Sequence, residues 1–318
     1  MIVGIIGYRN HSQKLLNILK KIKKVKKIII YNYKLNKNFV SNKDSFEILT
    51  GKLSILHECN AVFVSSPVST HYKYTDYFLK KNIYVFCEKP PFSNIKEINK
   101  IKRVKNFRKL YFNFNYQFLK SFKFLVKEIF NKKNGKLINI NFASSHGLIF
   151  KIKNNWRFKK KNNKLESIYG NLGIHYIYFL FNNFKKIELI KKNFQTNRTV
   201  KIFDTVNINL KLNNKVFSNI FLSYATVNFK YTNLYFTNCL IEIKNDRILK
   251  YYPRNVYDKS GKFKTPRPKI IKLNNKKDIE ISLIKSIKFF LNIVSKDETF
   301  SKKSLNLALK VNNFFLKN

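Results

Sequence analysis

Residues 1–16 read MIVGIIGYRNHSQKLL: a short apolar run, Ile2–Ile6, then Gly7, then a polar stretch that opens a helical pattern. This is the outline of a strand–turn–helix unit, in which glycines let the backbone approach the pyrophosphate of a dinucleotide at a helix N-terminus. The G-x-G-x-x-G spacing falls here on Gly7, Arg9 and Ser12. Gly7 keeps the tight turn. Ser12 is small enough for close helix–strand packing and has a hydroxyl to offer at the helix N-terminus. Arg9, followed by Asn10, places a cation where backbone ordinarily nears phosphate, and we read it as running along the phosphates. After the next apolar run, IIIYNYK, an acid would bind the adenosine ribose of NAD. The residues there are Asn32, Tyr33 and Lys34. Without that acid, and with Arg9 and Lys34 nearby, a 2′-phosphate is tolerated, so the reading leans to NADP(H) over NAD(H). Ordinary surface cations are the alternative reading of Arg9 and Lys34.

No metal or disulfide chemistry is expected. His11, His57, His71 and His146 form no close ligand pair and have no clustered carboxylates beside them. Cys59, Cys87 and Cys239 lie far apart and make no C-x-x-C, which fits a reducing cytoplasm. The sequence enters a strand at once, without the leader of a secreted protein, and no run approaches the ~18 apolar residues of a membrane span. A cytoplasmic protein without membrane insertion is expected.

The elements that must position these residues change character along the chain. Strands are predicted at Ile2–Ile6, Ile28–Tyr31, Ala61–Ser65, Ile83–Cys87 and Leu110–Asn115, with amphipathic helices at Gln13–Lys23, Thr70–Lys81 and Ile95–Lys105. Such alternation implies a doubly wound parallel sheet. From about Asn139 longer alternating runs appear: FDTVNINLKL, KVFSNIFLSYATV and KYTNLYFTN. They predict an antiparallel sheet, with one helix near Ser167–Asn182 and two more after Lys277. The fold class is therefore α/β, a Rossmann domain over residues 1–117 followed by an α+β domain over 118–318. The C-terminal helices are free to pack back on the first domain. At 318 residues and 44% apolar content, the chain can bury cores of this size.

A formal net charge of +47 would draw nucleic acid or an anionic membrane surface. Lysines are spread along the whole chain, however, rather than gathered on one element as in basic nucleic-acid binders. Lys, Asn, Ile, Phe and Tyr are abundant while Gly and Pro are scarce, the signature of an AT-rich genome. Codon bias is the preferred explanation, and no nucleic-acid partner is expected.

Residues 61–91 read AVFVSSPVSTHYKYTDYFLKKNIYVFCEKPP. Ser66-Pro67-Val68-Ser69-Thr70-His71 and Glu88-Lys89-Pro90 resemble the T-P-x-x-x-H and E-K-P elements of the Gfo/Idh/MocA (glucose–fructose oxidoreductase / inositol dehydrogenase) family. FNYQF (Phe114–Phe118), Trp156-Arg157 and GNLGIHYIYFL (Gly170–Leu180) match further family positions in the same order. The resemblance implies an NAD(P)-dependent oxidoreductase that acts on a hydroxyl or keto group of a sugar, cyclitol or nucleotide-linked sugar. It also implies a homo-oligomer, dimer or tetramer. Lys89 would lie beside the nicotinamide, orienting the hydroxyl and stabilising charge on its oxygen. His175 would serve as general acid or base. Gly7, Arg9, Asn10, Ser12, Asn32, Lys34, Ser66, Pro67, His71, Glu88 and Lys89 would hold the cofactor, although a structural role at the helix start is an equal reading of His71. Asn115, Gln117, Trp156 and Arg157 would line the substrate cleft.

Three departures stand on the substrate side. Asn171 occupies the position where the family usually has an Asp that binds the histidine ring, and an amide cannot supply a full charge to an imidazolium. Tyr178 stands where an acid is common, and Gln117 where Arg is common. Two readings follow: an enzyme that relies on Lys89 and His175 with Asn171 in support, or a catalytically impaired relative that binds cofactor or scaffolds.

Overall fold

The computed structural model describes residues 1–34, 47–147, 165, 167–197, 202–244, 247–254, 256–272 and 277–317. Trp156 and Arg157 lie outside the described residues. The chain divides into two compact units, Met1–Asn115 with Leu283–Asn318, and Tyr116–Ser282.

The first unit is built on six parallel strands: β1 (Ile2–Ile6), β2 (Lys27–Tyr31), β3 (Glu47–Thr50), β4 (Ala61–Val64), β5 (Tyr84–Cys87) and β6 (Leu110–Phe112). Their order is β3-β2-β1-β4-β5-β6. Strands β1, β4 and β5 are continuous apolar runs because both faces of a parallel sheet are covered, and Val3, Ile5, Val62, Phe63, Val85 and Phe86 are fully buried. Helices α1 (Asn10–Leu19), α2 (His71–Lys80) and α3 (Ile95–Ile101) supply the crossovers. Helix α1 begins three residues before the predicted boundary and stops short of the lysine run. Strand β3 was not anticipated from the sequence: it is four residues long, with alternate residues only half-buried. In the C-terminal segment, the Phe290 ring meets Phe63 and Phe86 edge-on, each at 5.3 Å. The strand order reverses direction between β1 and β4, the point in an open α/β sheet where loops diverge and leave a crevice for a ligand.

The second unit begins with α4 (Lys120–Ile129) and contains β7 (Leu137–Ser145), a π turn at Tyr169–Gly173 that runs into α5 (Ile174–Asn183), β8 (Ile187–Gln195), β9 (Thr205–Leu212), β10 (Phe217–Ser223), β11 (Phe229–Phe236), β12 (Leu240–Lys244), β13 (Arg247–Tyr251) and β14 (Lys269–Lys272). The eight strands run in the order β14-β13-β12-β11-β7-β10-β9-β8. Pairing is antiparallel except between β7 and β10, which are parallel. Side chains alternate between faces, so register fixes rows across the sheet. Ser218–Ile140–Leu234 and Ile220–Phe142–Thr232 form two buried rows. Phe142 packs on Tyr176 and Phe179 of α5, and Phe122 of α4 joins them. The opposite face is half-exposed. It carries an asparagine ladder, in which Asn219 Nδ2 donates to Asn209 Oδ1 at 2.7 Å and Asn139 Nδ2 donates to Asn219 Oδ1 at 3.3 Å.

Among the described residues no helix is long and apolar enough to cross a membrane, and no cluster of His, Cys, Asp or Glu could hold a metal ion. The second unit continues to Ser282, and helices α6 (Asp278–Ser295) and α7 (Lys302–Lys317) complete the chain.

Candidate active site

In the first unit the site grows from the carboxyl ends of β1, β4 and β5. Gly7 ends β1 with φ +104, a left-handed conformation costly for any residue with a side chain. A Cβ there would also lie 3.4 Å from Ser12 Oγ and 3.5 Å from the Ser65 carbonyl. The turn is tight for a second reason: the Ser12 and Ser65 hydroxyls bond at 2.8 Å, and Ser65 donates on to the Ile6 carbonyl at 3.1 Å. Ser12 is only 2% exposed, so its hydroxyl ties α1 to the end of β4 and its part in the loop is packing. Arg9 sits in extended conformation at the N-cap of α1, exposed, followed by the exposed Asn10. The first turn of α1 has no acidic residue of its own, which suits an anion at its amide groups.

Glu88, at the end of β5, is buried at 6% exposure and is the hub of this cluster. Its Oε1 meets His11 Nε2 at 2.7 Å and accepts from Asn113 Nδ2 at 2.8 Å, while Oε2 accepts the Lys89 backbone N–H at 3.3 Å. Asn113 is held in turn by the Ser286 hydroxyl at 2.7 Å, and Ser286 pairs with Tyr111 at 2.8 Å. Burial by itself pushes the Glu88 carboxyl up, but His11, Asn113 and Lys89 outweigh it and hold the group below the ordinary glutamate value. Glu88 is therefore a carboxylate that fixes the first turn of α1, the end of β6 and the backbone of Lys89 together. His11 was assigned no role from the sequence. Its partner is 77 residues away, and no spacing rule connects them.

His71 begins α2 and is buried, with Nδ1 3.0 Å from the Pro90 carbonyl and 3.1 Å from that of Pro91, and Nε2 2.9 Å from that of Ser66. Burial pulls its pKa below the usual histidine value against those three carbonyls. Both nitrogens face the protein's own acceptors, so His71 clamps the Ser66-Pro67 turn to the Glu88-Lys89-Pro90 segment. Ser66 further bonds Thr70 at 2.7 Å. After β2, Asn32 Oδ1 accepts from the Lys34 backbone N–H at 3.2 Å, forming a short turn that presents the exposed Lys34.

In the second unit His175 lies in the first turn of α5, 2% exposed, its ring stacked on Tyr116 with centroids 3.9 Å apart and planes at 8°. The glycines before it let the helix lie close to the sheet: a Cβ on Gly173 would approach Tyr169 at 2.8 Å and Leu222 at 3.1 Å. Asn171 Nδ2 donates to the Tyr224 hydroxyl at 2.8 Å. The Tyr224 ring packs against His146 at 4.6 Å. Burial, with a contribution from Tyr224, pushes the Tyr116 phenol up to about 12, and burial does the same to Tyr178. Both are neutral phenols near pH 7. The short helical turn Asn115–Phe118 carries the buried Asn115 and the half-buried Gln117.

The structure thus joins Gly7 with Ser12, Glu88 with Lys89, and Ser66 with His71 and Pro90 in the first unit. In the second, Tyr116, Tyr224 and Lys230 were not assigned a role from the sequence, yet Tyr116 contacts His175 and Tyr224 contacts Asn171.

The family model described as "Oxidoreductase family, NAD-binding Rossmann fold" (Gfo/Idh/MocA) matches residues 1–115. The chain carries the nucleotide-binding domain of the Gfo/Idh/MocA oxidoreductase family. A comparison with curated proteins finds no match. Solved structures with the same fold include a 3-ketoreductase from Actinomadura kijaniata in complex with NADP and TDP-benzene, at TM-score 0.79 and 13% identity over 99% of this chain and 95% of that one. A UDP-N-acetylglucosamine 3-dehydrogenase from Acidithiobacillus ferrooxidans gives 0.73 and 14%, covering 100% and 96%. An oxidoreductase from Agrobacterium radiobacter in complex with NAD+, L-tartaric acid and magnesium gives 0.75 and 14%, covering 100% and 96%. For a Gfo/Idh/MocA nucleotide domain, the residues in place fit a nicotinamide dinucleotide. Gly7 holds a φ of +104 that a residue with a side chain rarely adopts, and the N-terminus of α1 lies beside the β1–β4 switch point.

Proposed function

We propose that the protein is an NAD(P)-dependent oxidoreductase acting on a hydroxyl or keto group of a sugar, cyclitol or nucleotide-linked sugar. The observation that carries this reading is the Glu88 network, which fixes the backbone of Lys89 at the carboxyl end of β5. When bound, the nicotinamide supplies the hydride acceptor or donor. Lys89 orients the reacting oxygen and stabilises the charge that develops on it. His175 is assigned the proton transfer as general acid or base, its ring plane held by the stack on Tyr116. Asn171 anchors the Tyr224 hydroxyl beside the same helix. Glu88, Ser66, Pro67 and His71 shape the loops that receive the cofactor, and Gly7, Arg9 and Asn10 receive its pyrophosphate. Asn32 and Lys34 favour a 2′-phosphate, so NADP(H) is the preferred cofactor. Asn115, Gln117, Trp156 and Arg157 are assigned to substrate contacts. Residues 1–117 and 118–318 are assigned to cofactor and substrate respectively. The half-exposed face of the eight-stranded sheet suits a homo-oligomer, and the protein is assigned to the cytoplasm.

The test is direct titration of NADPH and NADH, followed by nicotinamide turnover across a panel of sugars, cyclitols and nucleotide-sugars. Tighter binding of NADPH with turnover of at least one panel member is expected. Cofactor binding with no turnover on any of them, unchanged in Asn171→Asp, would favour the catalytically impaired reading.

A further inference from the structure

The second unit contains a half-buried lysine, Lys230, whose ammonium faces an aromatic ring beside His175. Lys230 is the second residue of β11 and pairs with Ser144 of β7, which pairs with Leu222 of β10. It therefore stands on the inward face, in the same alternating series as Thr232 and Leu234. That face is apolar along most of its length and turns polar at this end, where Ser144 and Lys230 replace the Phe142–Thr232 and Ile140–Leu234 pairs. The Lys230 ammonium lies 5.4 Å over the ring of Tyr116, which also stacks on His175 and meets Phe122 edge-on.

Among the described residues Lys230 forms no salt bridge and donates no hydrogen bond. Its electrostatic partner, Asp278, has its carboxylate engaged by the Lys120 backbone N–H at 3.0 and 3.3 Å. Burial pushes the ammonium below the usual lysine value, and Asp278 only partly restores it. Lys250 shows how this unit treats a structural lysine. Its ammonium donates to Glu128 at 3.0 Å and to Asn134 at 2.7 Å, and its pKa is raised. A partly desolvated ammonium beside an aromatic face, its carboxylate neighbour already engaged elsewhere, gains from an anionic group that completes its shell. Tyr116 cannot do so, being a neutral phenol.

We propose that Lys230 receives a carboxylate or phosphate group of the substrate beside His175, and so selects anionic sugars over neutral ones. This rests on the oxidoreductase reading for its substrate class, but the binding site stands on the geometry around Tyr116. A neutral sugar offers the ammonium only hydroxyl oxygens, whereas a charge-assisted bond to an anionic oxygen is among the stronger single contacts a site can offer. Discrimination of about 10- to 100-fold between matched anionic and neutral sugars is expected from one such contact.

The test is calorimetric binding of glucose, glucuronate, glucose 6-phosphate and inorganic phosphate to the full chain, to Lys230→Met and to Lys230→Arg. Thermal unfolding serves as the check on folding. The wild type should bind at least one anionic probe about 10-fold or more tighter than glucose. Lys230→Met should lose that preference, and Lys230→Arg should keep part of it. Equal affinity for neutral and anionic probes, no binding of any anion by the wild type, or an unchanged preference in a folded Lys230→Met would each overturn the proposal. Binding by phosphate as tightly as by glucose 6-phosphate identifies the anion, rather than the sugar, as the group recognised. Nicotinamide turnover is read separately. A preference that depends on Lys230, without turnover, keeps the site and sinks the oxidoreductase reading; turnover indifferent to Lys230 does the reverse.

Discussion

The two polar clusters are held by different means. Around Glu88 in the first unit, charges and hydroxyls are joined by short hydrogen bonds, from His11 through Glu88 and Asn113 to Ser286 and Tyr111. Around His175 in the second, the described contacts include flat ones: a ring on Tyr116, an ammonium over that ring, and Tyr224 against His146. A satisfied hydrogen-bond network rigidifies a scaffold. Stacked rings fix a side chain's orientation through its face. On the proposed function, the first cluster supports Lys89 and the cofactor loop, and the second carries the substrate chemistry.

If that division is right, substitutions in the two clusters should fail differently. The largest effect is expected in the second: His175→Gln should lower turnover about 10²- to 10⁴-fold, the usual worth of a positioned acid–base group, with cofactor affinity unchanged. A loss of cofactor affinity instead would place His175 in the support. Glu88→Gln should act on stability and loop order, costing about 1–3 kcal/mol by leaving buried partners imperfectly matched. It should also weaken NADPH binding.

The pH dependence has a definite sign. The Glu88 carboxyl is held below its ordinary value of 4.5, so its contribution is complete above that value and is lost as pH falls through the lower folded one. Chemical denaturation across that acid range should show a slope that Glu88→Gln reduces. A slope unaltered by the substitution would mean the carboxylate is not what His11 and Asn113 hold. The smallest effect is expected at the loop itself: Arg9→Gly should weaken NADPH binding by a few-fold, on the order of one surface charge contact. Tighter binding would make Arg9 an obstruction.

The same contrast explains what was legible in the sequence. Apolar runs and their alternation marked five of the six parallel strands, because burial on both faces leaves a composition signal; β3, four residues long and half-buried on alternate positions, left none. The Ser167–Asn182 helix was visible, but not its π turn at Tyr169–Gly173, because an apolar helical pattern does not register a single wide turn. Glu88 and Lys89 stood out through their neighbours in sequence. His11 did not, because its meaning lies in a partner 77 residues away. Lys230 stood in a clear two-residue alternation in KYTNLYF, yet one lysine among 64 basic residues carries no label until its neighbours in space are known.

Lys89→Ala is the most direct measurement. Lys89 is the one side chain assigned to the reacting oxygen from the first unit, and its loss should leave the Glu88 network in place. In a protein with established turnover, that variant should bind NADPH within about 3-fold of the wild type and lose on the order of 10²-fold or more in kcat. A folded Lys89→Ala protein that turns over substrate at the wild-type rate would contradict the assignment.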